Sequence, residues 1–407
     1  MKTRKGVRIM ALFLCAAIAM TACSVRQEEP EPEKKVLELW TYWDFSYTRQ
    51  ALSTVVSEFN KDHPDMEVVI QYIPDEDFKK RLALGMADGT MPDIAIVDSS
   101  DVQFFNSTGR LVNLSQIVDT DDYLNTALAS CRSGGGKLSG VPVGISCLVF
   151  YYNNTLLQQA DLSVPRNLDE FVYAAKKLSG NNIYGCAFPA LQSEESLFCF
   201  LPILWSEGGS VTALNTEKSR RAFDVLRQLS ASGAMSHKTV DMTLADVERE
   251  FKKGNIAMMF STTMSLPKIQ EDNPQLDFGV GPLPLGEENT SVVGGEVITV
   301  QDGEYQEEAK EFVRYFCDSE RMKGYINEMG YLAPRKDILE WQIANDTEKQ
   351  KFADILNGAR TRDFTRDWPQ VSLAVSDTIS KVILQEDTTE TFDQLVEKIH
   401  TIRGGAQ

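Results

Sequence analysis

Residues 36–101 read VLELWTYWDFSYTRQALSTVVSEFNKDHPDMEVVIQYIPDEDFKKRLALGMADGTMPDIAIVDSSD. Val36 to Trp40 is an apolar run of strand length, and Ala51, Leu52, Val55, Val56 and Phe59 then recur at helical spacing and stop before Pro64. Met66 to Tyr72 is a second strand and Phe78 to Met86 a second helix. Asp88-Gly89 marks a turn, and Ile94 to Val97 is a short buried strand that runs into Asp98-Ser99-Ser100-Asp101. This β-α-β-α-β order, repeated less clearly further on, predicts α/β lobes with largely parallel sheets. In such sheets ligands gather at the carboxyl ends of the strands. Tyr42 to Asp44 and Asp98 to Asp101 are therefore placed to face one crevice.

Toward the N-terminus the character changes. Lys2, Arg4, Lys5 and Arg8 precede an apolar run from Ile9 to Met20 that ends in small residues, the layout of a signal peptide. About a dozen residues are too few to span a hydrocarbon core that needs roughly 20 in a helix. Met20-Thr21-Ala22-Cys23 resembles the lipobox of bacterial lipoproteins, with Met20 where Leu is usual, and makes Cys23 the expected lipid-modified first residue of the mature chain. Ser24 to Lys35 (SVRQEEPEPEKK) is charged, holds two prolines and has no apolar period, so it reads as an extended tether reaching roughly 40 Å. Two acyl chains on Cys23 would anchor it stably.

Toward the C-terminus, Gly134-Gly135-Gly136 with Gly140, Pro142 and Gly144 marks an irregular stretch before the apolar strand Leu148 to Tyr152. A crossing between lobes is expected there, and a second where Pro282, Pro284 and Gly286 lead into Gly294-Gly295. A helix is expected from Asn167, with Asn167 as cap, Glu170 three residues on and Gly180 as its stop. Ala222 to Leu229, Glu307 to Phe316 and Thr389 to Ile399 carry helical periods, and Ile256 to Phe260 and Val297 to Val300 read as strands.

The chain has 407 residues, which favours two lobes over one core. Its net charge is −18, and loss of the four basic residues of the signal segment takes it to −22, which argues against a nucleic-acid partner. Beyond Cys15 and Cys23 there are five cysteines, Cys131, Cys147, Cys186, Cys199 and Cys317, with no CxxC pair. Zinc and dithiol chemistry therefore have little support, and the thiols read mostly as small buried hydrophobes, with one unassignable disulfide left open. Three histidines, no HExxH and no GxSxG leave hydrolase chemistry little to build on. No catalytic residue, metal or cofactor is expected.

The ordered motifs resemble the carbohydrate-type extracellular solute-binding proteins of ABC importers, the group that includes maltose-binding protein. They are Leu37 to Asp44; Pro92-Asp93-Ile94 followed by Gly109 to Leu114; Gly140-Val141-Pro142 followed by Tyr151-Tyr152-Asn153; Asn167 to Phe171; Phe251 to Met258; and Gly330 to Arg335. The resemblance implies a two-lobed periplasmic-binding-protein-like α/β fold with the ligand in a cleft between lobes. The expected layout is signal peptide 1–22, lipidated Cys and tether 23–35, an N-terminal lobe of 36–143 plus 294–335, and a C-terminal lobe of 144–293 plus 336–407.

The implied function is capture of a sugar or oligosaccharide by lobe closure and delivery to an importer's membrane subunits. The chain itself would bind no nucleotide and would sit as a monomer on the outer face of the cytoplasmic membrane, at the cell surface of a Gram-positive organism or in the periplasm of a Gram-negative one. The alternatives are a surface sensor or adhesion lipoprotein on the same fold, and a glycoside-processing enzyme using Asp44 with Asp98 or Asp101. Candidate ligand residues are Tyr42, Trp43 and Asp44 past the first strand, because an aromatic face stacks on a sugar ring and a carboxylate accepts from its hydroxyls. Trp40, inside the strand, reads as core. Ser99, Ser100 and Asp101 follow, with helix capping as their ordinary alternative. The resemblance adds Ser146, Gly295, Glu296 and Trp368, the last either a stacking surface or a plug between helices. Where the family often has an aromatic after the Ala257-Met258 strand, this chain has Ser261-Thr262-Thr263-Met264, which points to a smaller or differently shaped ligand than a long maltodextrin.

Overall fold

Lys35–Thr41 alternates in burial only at its start, with Leu37 and Leu39 fully buried on one face and Glu38 exposed between them, and Trp40 and Thr41 are buried as well. A computed structural model describes residues 34–42, 46–286, 290–386 and 388–404. The signal-like segment, Cys23, nearly all of the tether, and Trp43 and Asp44 lie outside the described residues.

Strand β1 (Lys35–Thr41) is followed by helix α1 (Ser46–Asp62), β2 (Met66–Tyr72), α2 (Asp75–Asp88) and β3 (Ile94–Asp98), in the order read from the sequence. β1 pairs in parallel with β2, from Lys35 opposite Met66 to Thr41 opposite Tyr72, and with β3 at Leu39 opposite Ile94. Ile94 to Val97 are buried without alternation because helices cover both faces of the sheet there.

The next long strand, β4 (Val141–Asn153), holds the molecule together. Its side chains alternate between cores: Val141 and Val143 join a first core with Leu39, Ile96 and Phe312, and Leu148 and Phe150 join a second with Phe171, Phe200 and Trp368. Ile145, Cys147, Val149 and Tyr151 point the other way, into a third cluster with Phe251, Leu332 and Phe352. Neither face of β4 meets water, so it reads as one apolar run.

Helix α3 (Leu168–Leu178) begins as expected. Asn167 Oδ1 accepts from the Glu170 amide at 2.9 Å, and Glu170 reaches back to accept from the Arg166 amide at 2.9 Å. Gly180 is not its cap. Ser179 ends the helix in an extended conformation, and Gly180 bridges Ile183 in a tight loop. Helix α4 (Glu194–Ser206) is buried nearly all round, and β5 (Met258–Thr262), β6 (Phe278–Gly281), β7 (Val293–Val300) and α5 (Trp368–Ile383) complete the elements that shape the cleft.

The seven strands run in the order β2-β1-β3-β7-β4-β5, with β6 also on β4. Only β2-β1-β3 is parallel. β7 is antiparallel to β3 and β4, and β5 and β6 are antiparallel to β4. The expectation of largely parallel sheets thus fails for a topological reason: β4 carries the chain out of the first core and β7 carries it back alongside, so the two must run in opposite directions.

All five described cysteines are free and buried, and no disulfide forms among them. Burial pushes the Cys131, Cys147 and Cys317 thiols up to about 12, which keeps them protonated and unreactive. No helix among the described residues is long and apolar enough to cross a membrane.

Candidate functional site

Where β3, β4 and β7 lie side by side, their ends bring several of the expected residues together. Glu296 of β7 stands opposite Asp98 of β3 on one side and Gly144 of β4 on the other. Tyr42, just past β1, packs against Phe78 and donates its hydroxyl to Glu296 Oε1 at 2.8 Å. Tyr42 and Glu296, 254 residues apart, thus meet at one point. Trp40 stays in the first core with the Arg81 guanidinium over its ring, as its position inside the strand implies.

The two crossings touch at Gly295. Its φ of +145° is open to glycine, and a Cβ there would lie 2.3 Å from the Gly144 carbonyl oxygen. The Gly295 carbonyl accepts from the Ser99 amide at 2.9 Å. Ser146 is buried opposite Gly294. These strands pack so closely that only glycine fits at the touching point.

After β3 the chain turns sharply. Asp98 Oδ1 accepts from the Ser100 amide at 2.7 Å. Asp101 precedes a short helix, Val102–Asn106, but makes no side-chain capping bond. Its carboxylate instead pairs with Lys79 of α2 at 2.8 Å. Burial pushes the Asp101 carboxyl up to about 7, against the pull of Lys79. Lys79 in turn is held above the ordinary lysine value, because although burial works against its charge, Asp101 and Glu194 outweigh it. The Ser100 hydroxyl is buried with no hydrogen-bond partner among the described residues.

The other wall comes from the second core. Arg362, whose side chain is only 1% exposed, places Nη2 at 3.0 Å from Asp98 Oδ1 and at 2.9 Å from Ser99 Oγ, while Nη1 meets Glu194 Oε1 at 2.8 Å. The guanidinium also covers the Phe198 ring at 5.3 Å. Glu194, at the start of α4, accepts from Trp368 Nε1 at 3.1 Å and from the Ser372 hydroxyl. Trp368 is fully buried in the second core. Its ring packs in that core, and its N–H holds the Glu194 carboxylate.

The remaining space at this junction, lined by Ser99, Ser130, Gly144, Gly295, Glu296 and Phe364 among others, is about 10 Å³. That is room for about one water.

Lys79, Glu194 and Arg362 were not legible as site residues. None sits at a strand end in a recognisable motif, and Arg362 lies six residues ahead of Trp368. Among the described residues no group of three or more His, Cys, Asp or Glu is placed to hold a metal. Asp98, Asp101, Glu194 and Glu296 with Lys79 and Arg362 form an array of donors and acceptors drawn from both lobes, suited to gripping a polar solute.

The model of the bacterial extracellular solute-binding proteins matches residues 54–352. The chain belongs to that family. It is 22% identical over 346 residues to a putative binding protein of Brucella abortus, covering 81% of this chain and 84% of that one. It is 20% identical over 403 residues to the arabinooligosaccharide-binding protein of Halalkalibacterium halodurans, covering 90% and 89%. Among solved structures, the GacH receptor of Streptomyces glaucescens, studied unliganded and in complex with acarbose, superposes with a TM-score of 0.81 at 21% identity over 91% of this chain and 98% of that one. The two-lobed solute-binding fold expected from the sequence is the fold observed.

Proposed function

We propose that this solute-binding protein captures a mono- or oligosaccharide between its lobes and hands it to the membrane subunits of an ABC importer. The observation that carries the reading is the cleft itself: buried polar side chains from two separate cores meet at one junction, which a solute can bridge only by touching both. The oligosaccharide named for the Halalkalibacterium relative and the acarbose bound by the GacH receptor support a carbohydrate as the solute. We read the array as one for binding without turnover, with Asp98, Asp101 and Glu194 each held in an ion pair.

In this reading the first lobe spans 36–143 plus 294–335 and the second 144–293 plus 336–407, and Cys23 carries the lipid that holds the monomer on the outer face of the membrane by the tether of 24–35. Tyr42, Trp43, Asp44, Ser99, Ser100, Asp101, Ser146, Gly295 and Glu296 form the sugar-facing set, and Trp368 supports Glu194 from behind. Closure about the crossings at Gly144 and Gly295 lets a ligand stabilise the shut form by touching both lobes.

Calorimetric titration checks the set. Trp43→Ala and Asp44→Ala are each expected to weaken sugar binding at least about tenfold, or about 1.4 kcal/mol, with unfolding midpoints near that of the wild type. Unchanged affinity in both would remove the strand-end aromatic and carboxylate from the site.

A further inference from the structure

Besides β4 and β7, a third segment joins the cores. The helix Ser319–Met329 buries Met322, Ile326 and Met329 in the first core and ends at Gly330, where a φ of +76° turns the chain sharply. Tyr331 and Ala333 still belong to the first core, but Leu332 between them enters the third cluster, beside Phe352 and Leu356 of the helix Thr347–Asn357. Leu332 and Ile145 of β4 exchange backbone hydrogen bonds of 2.9 and 3.0 Å. One residue away, the Tyr331 ring lies against Gly144, where a Cβ would collide with it, and Gly144 in turn stands opposite Glu296.

A residue that breaks a local rule holds this crossing. Lys349 is in the first turn of Thr347–Asn357, the end of a helix that disfavours a cation, and its amide donates to the capping Asp346 carboxylate at 3.3 Å. Its ammonium reaches away from that helix to the carbonyls of Gly330 at 3.0 Å and Tyr331 at 3.2 Å. These lie at the carboxyl end of Ser319–Met329, where the helix dipole and the orphan carbonyls favour a cation. Burial pushes the Lys349 ammonium below the usual lysine value, and Asp346 is the one carboxylate that pulls against it. Gln342 adds two bonds to the same segment, donating to the Tyr331 carbonyl at 3.1 Å and accepting from the Ala333 amide at 2.9 Å.

We propose that Lys349 is a positioning residue of the hinge, which ties the third crossing to the second lobe so that the lobes turn there about Gly330 alone. Gly144, Gly295 and Gly330 then give each crossing one glycine pivot, and the Tyr331 ring sets the third pivot beside the first. Lys349 itself touches no solute. The proposal concerns the lobe movement on which the capture reading depends, but its test needs no solute, so its failure leaves that reading standing.

Amide hydrogen exchange reads the clamp directly, because Ile145 and Leu332 each donate to the other. Lys349→Met keeps most of the stem and removes the charge, and is expected to speed exchange at both amides about tenfold, the scale of one lost charge-assisted hydrogen bond. The amides of β1, away from the crossing, should keep their rates. Lys349→Arg keeps a cation with several donors and should stay within about threefold of the parent protein. Spin labels at Leu84→Cys and Tyr173→Cys, both well exposed and one in each lobe, give the second readout, with Cys23 replaced by Ser. The five buried thiols do not compete for label. The distance distribution should be about twice as broad in Lys349→Met as in the parent protein, whatever mean distance the parent adopts. Lys349→Gln, neutral but still a donor, serves if the Met variant does not fold and should move both readouts the same way. Unchanged exchange or unchanged width in the neutral variants, an equal rise of exchange throughout β1, or an Arg variant that behaves like Met would overturn the assignment.

Discussion

Gly295→Ala is expected to lower the unfolding free energy by about 3 kcal/mol, the sum of a strained positive φ and an overpacked contact. In a chain of this size that corresponds to a fall of roughly 4 °C in Tm. The reason is local and double. The backbone at Gly295 has a φ of +145°, and the added Cβ would press to 2.3 Å from the Gly144 carbonyl oxygen and 2.9 Å from the Ile145 Cα, both main-chain atoms of a strand buried on both faces. Neither atom can move aside without shifting β4, which three cores share. Gly324→Ala is the matched control: it lies within the helix Ser319–Met329 with nothing near its new Cβ, and should raise stability by about 0.5–1 kcal/mol. A Gly295→Ala protein melting within a degree or two of the wild type would mean that the two crossings do not pack as closely as described.

Trp368→Ala is expected to cost about 3–5 kcal/mol, because it empties a fully buried indole site. It also takes from Glu194 a donor at 3.1 Å. Trp368→Phe separates the two effects: most of the volume stays, the N–H goes, and the loss should shrink to about 1–2 kcal/mol. Sugar affinity in the Phe variant should stay within about threefold of the wild type, since the ring stands behind Glu194. A tenfold loss of affinity with a near-normal melting curve would instead make Trp368 a stacking surface that turns toward the ligand when the lobes part.

How far the sequence could be read depended on the kind of signal. Local periodicity and caps located β1 through β3 and their helices, and Asn167 with Glu170 marked the start of α3 to the residue. Sheet direction was not legible, because β7 and β3 are both buried without alternation along almost their whole length, and such a pattern does not tell an antiparallel strand from a parallel one. At the junction, Tyr42, Ser99 and Glu296, expected there because they follow strands or sit on a crossing, are brought close together. Arg362, Glu194 and Lys79 were missed because their importance comes from distant partners: Arg362 meets a serine 263 residues away and Glu194 a tryptophan 174 residues away, separations that no window along the chain samples. Trp368 was left as either a stacking surface or a plug for the complementary reason, since an aromatic beside a cleft and one behind it share the same sequence context.

The central claim, reversible capture of a carbohydrate, is tested most directly by a thermal-shift screen of the protein against mono- and oligosaccharides, with amino acids, polyamines and phosphate esters as controls. A ligand selective for the folded state at 100 times its Kd adds about 2.7 kcal/mol and must raise the midpoint. The expected result is a rise with one class of neutral saccharide, which is recovered chemically unchanged. Stabilisation by a control compound alone, or consumption of the sugar, would contradict the account.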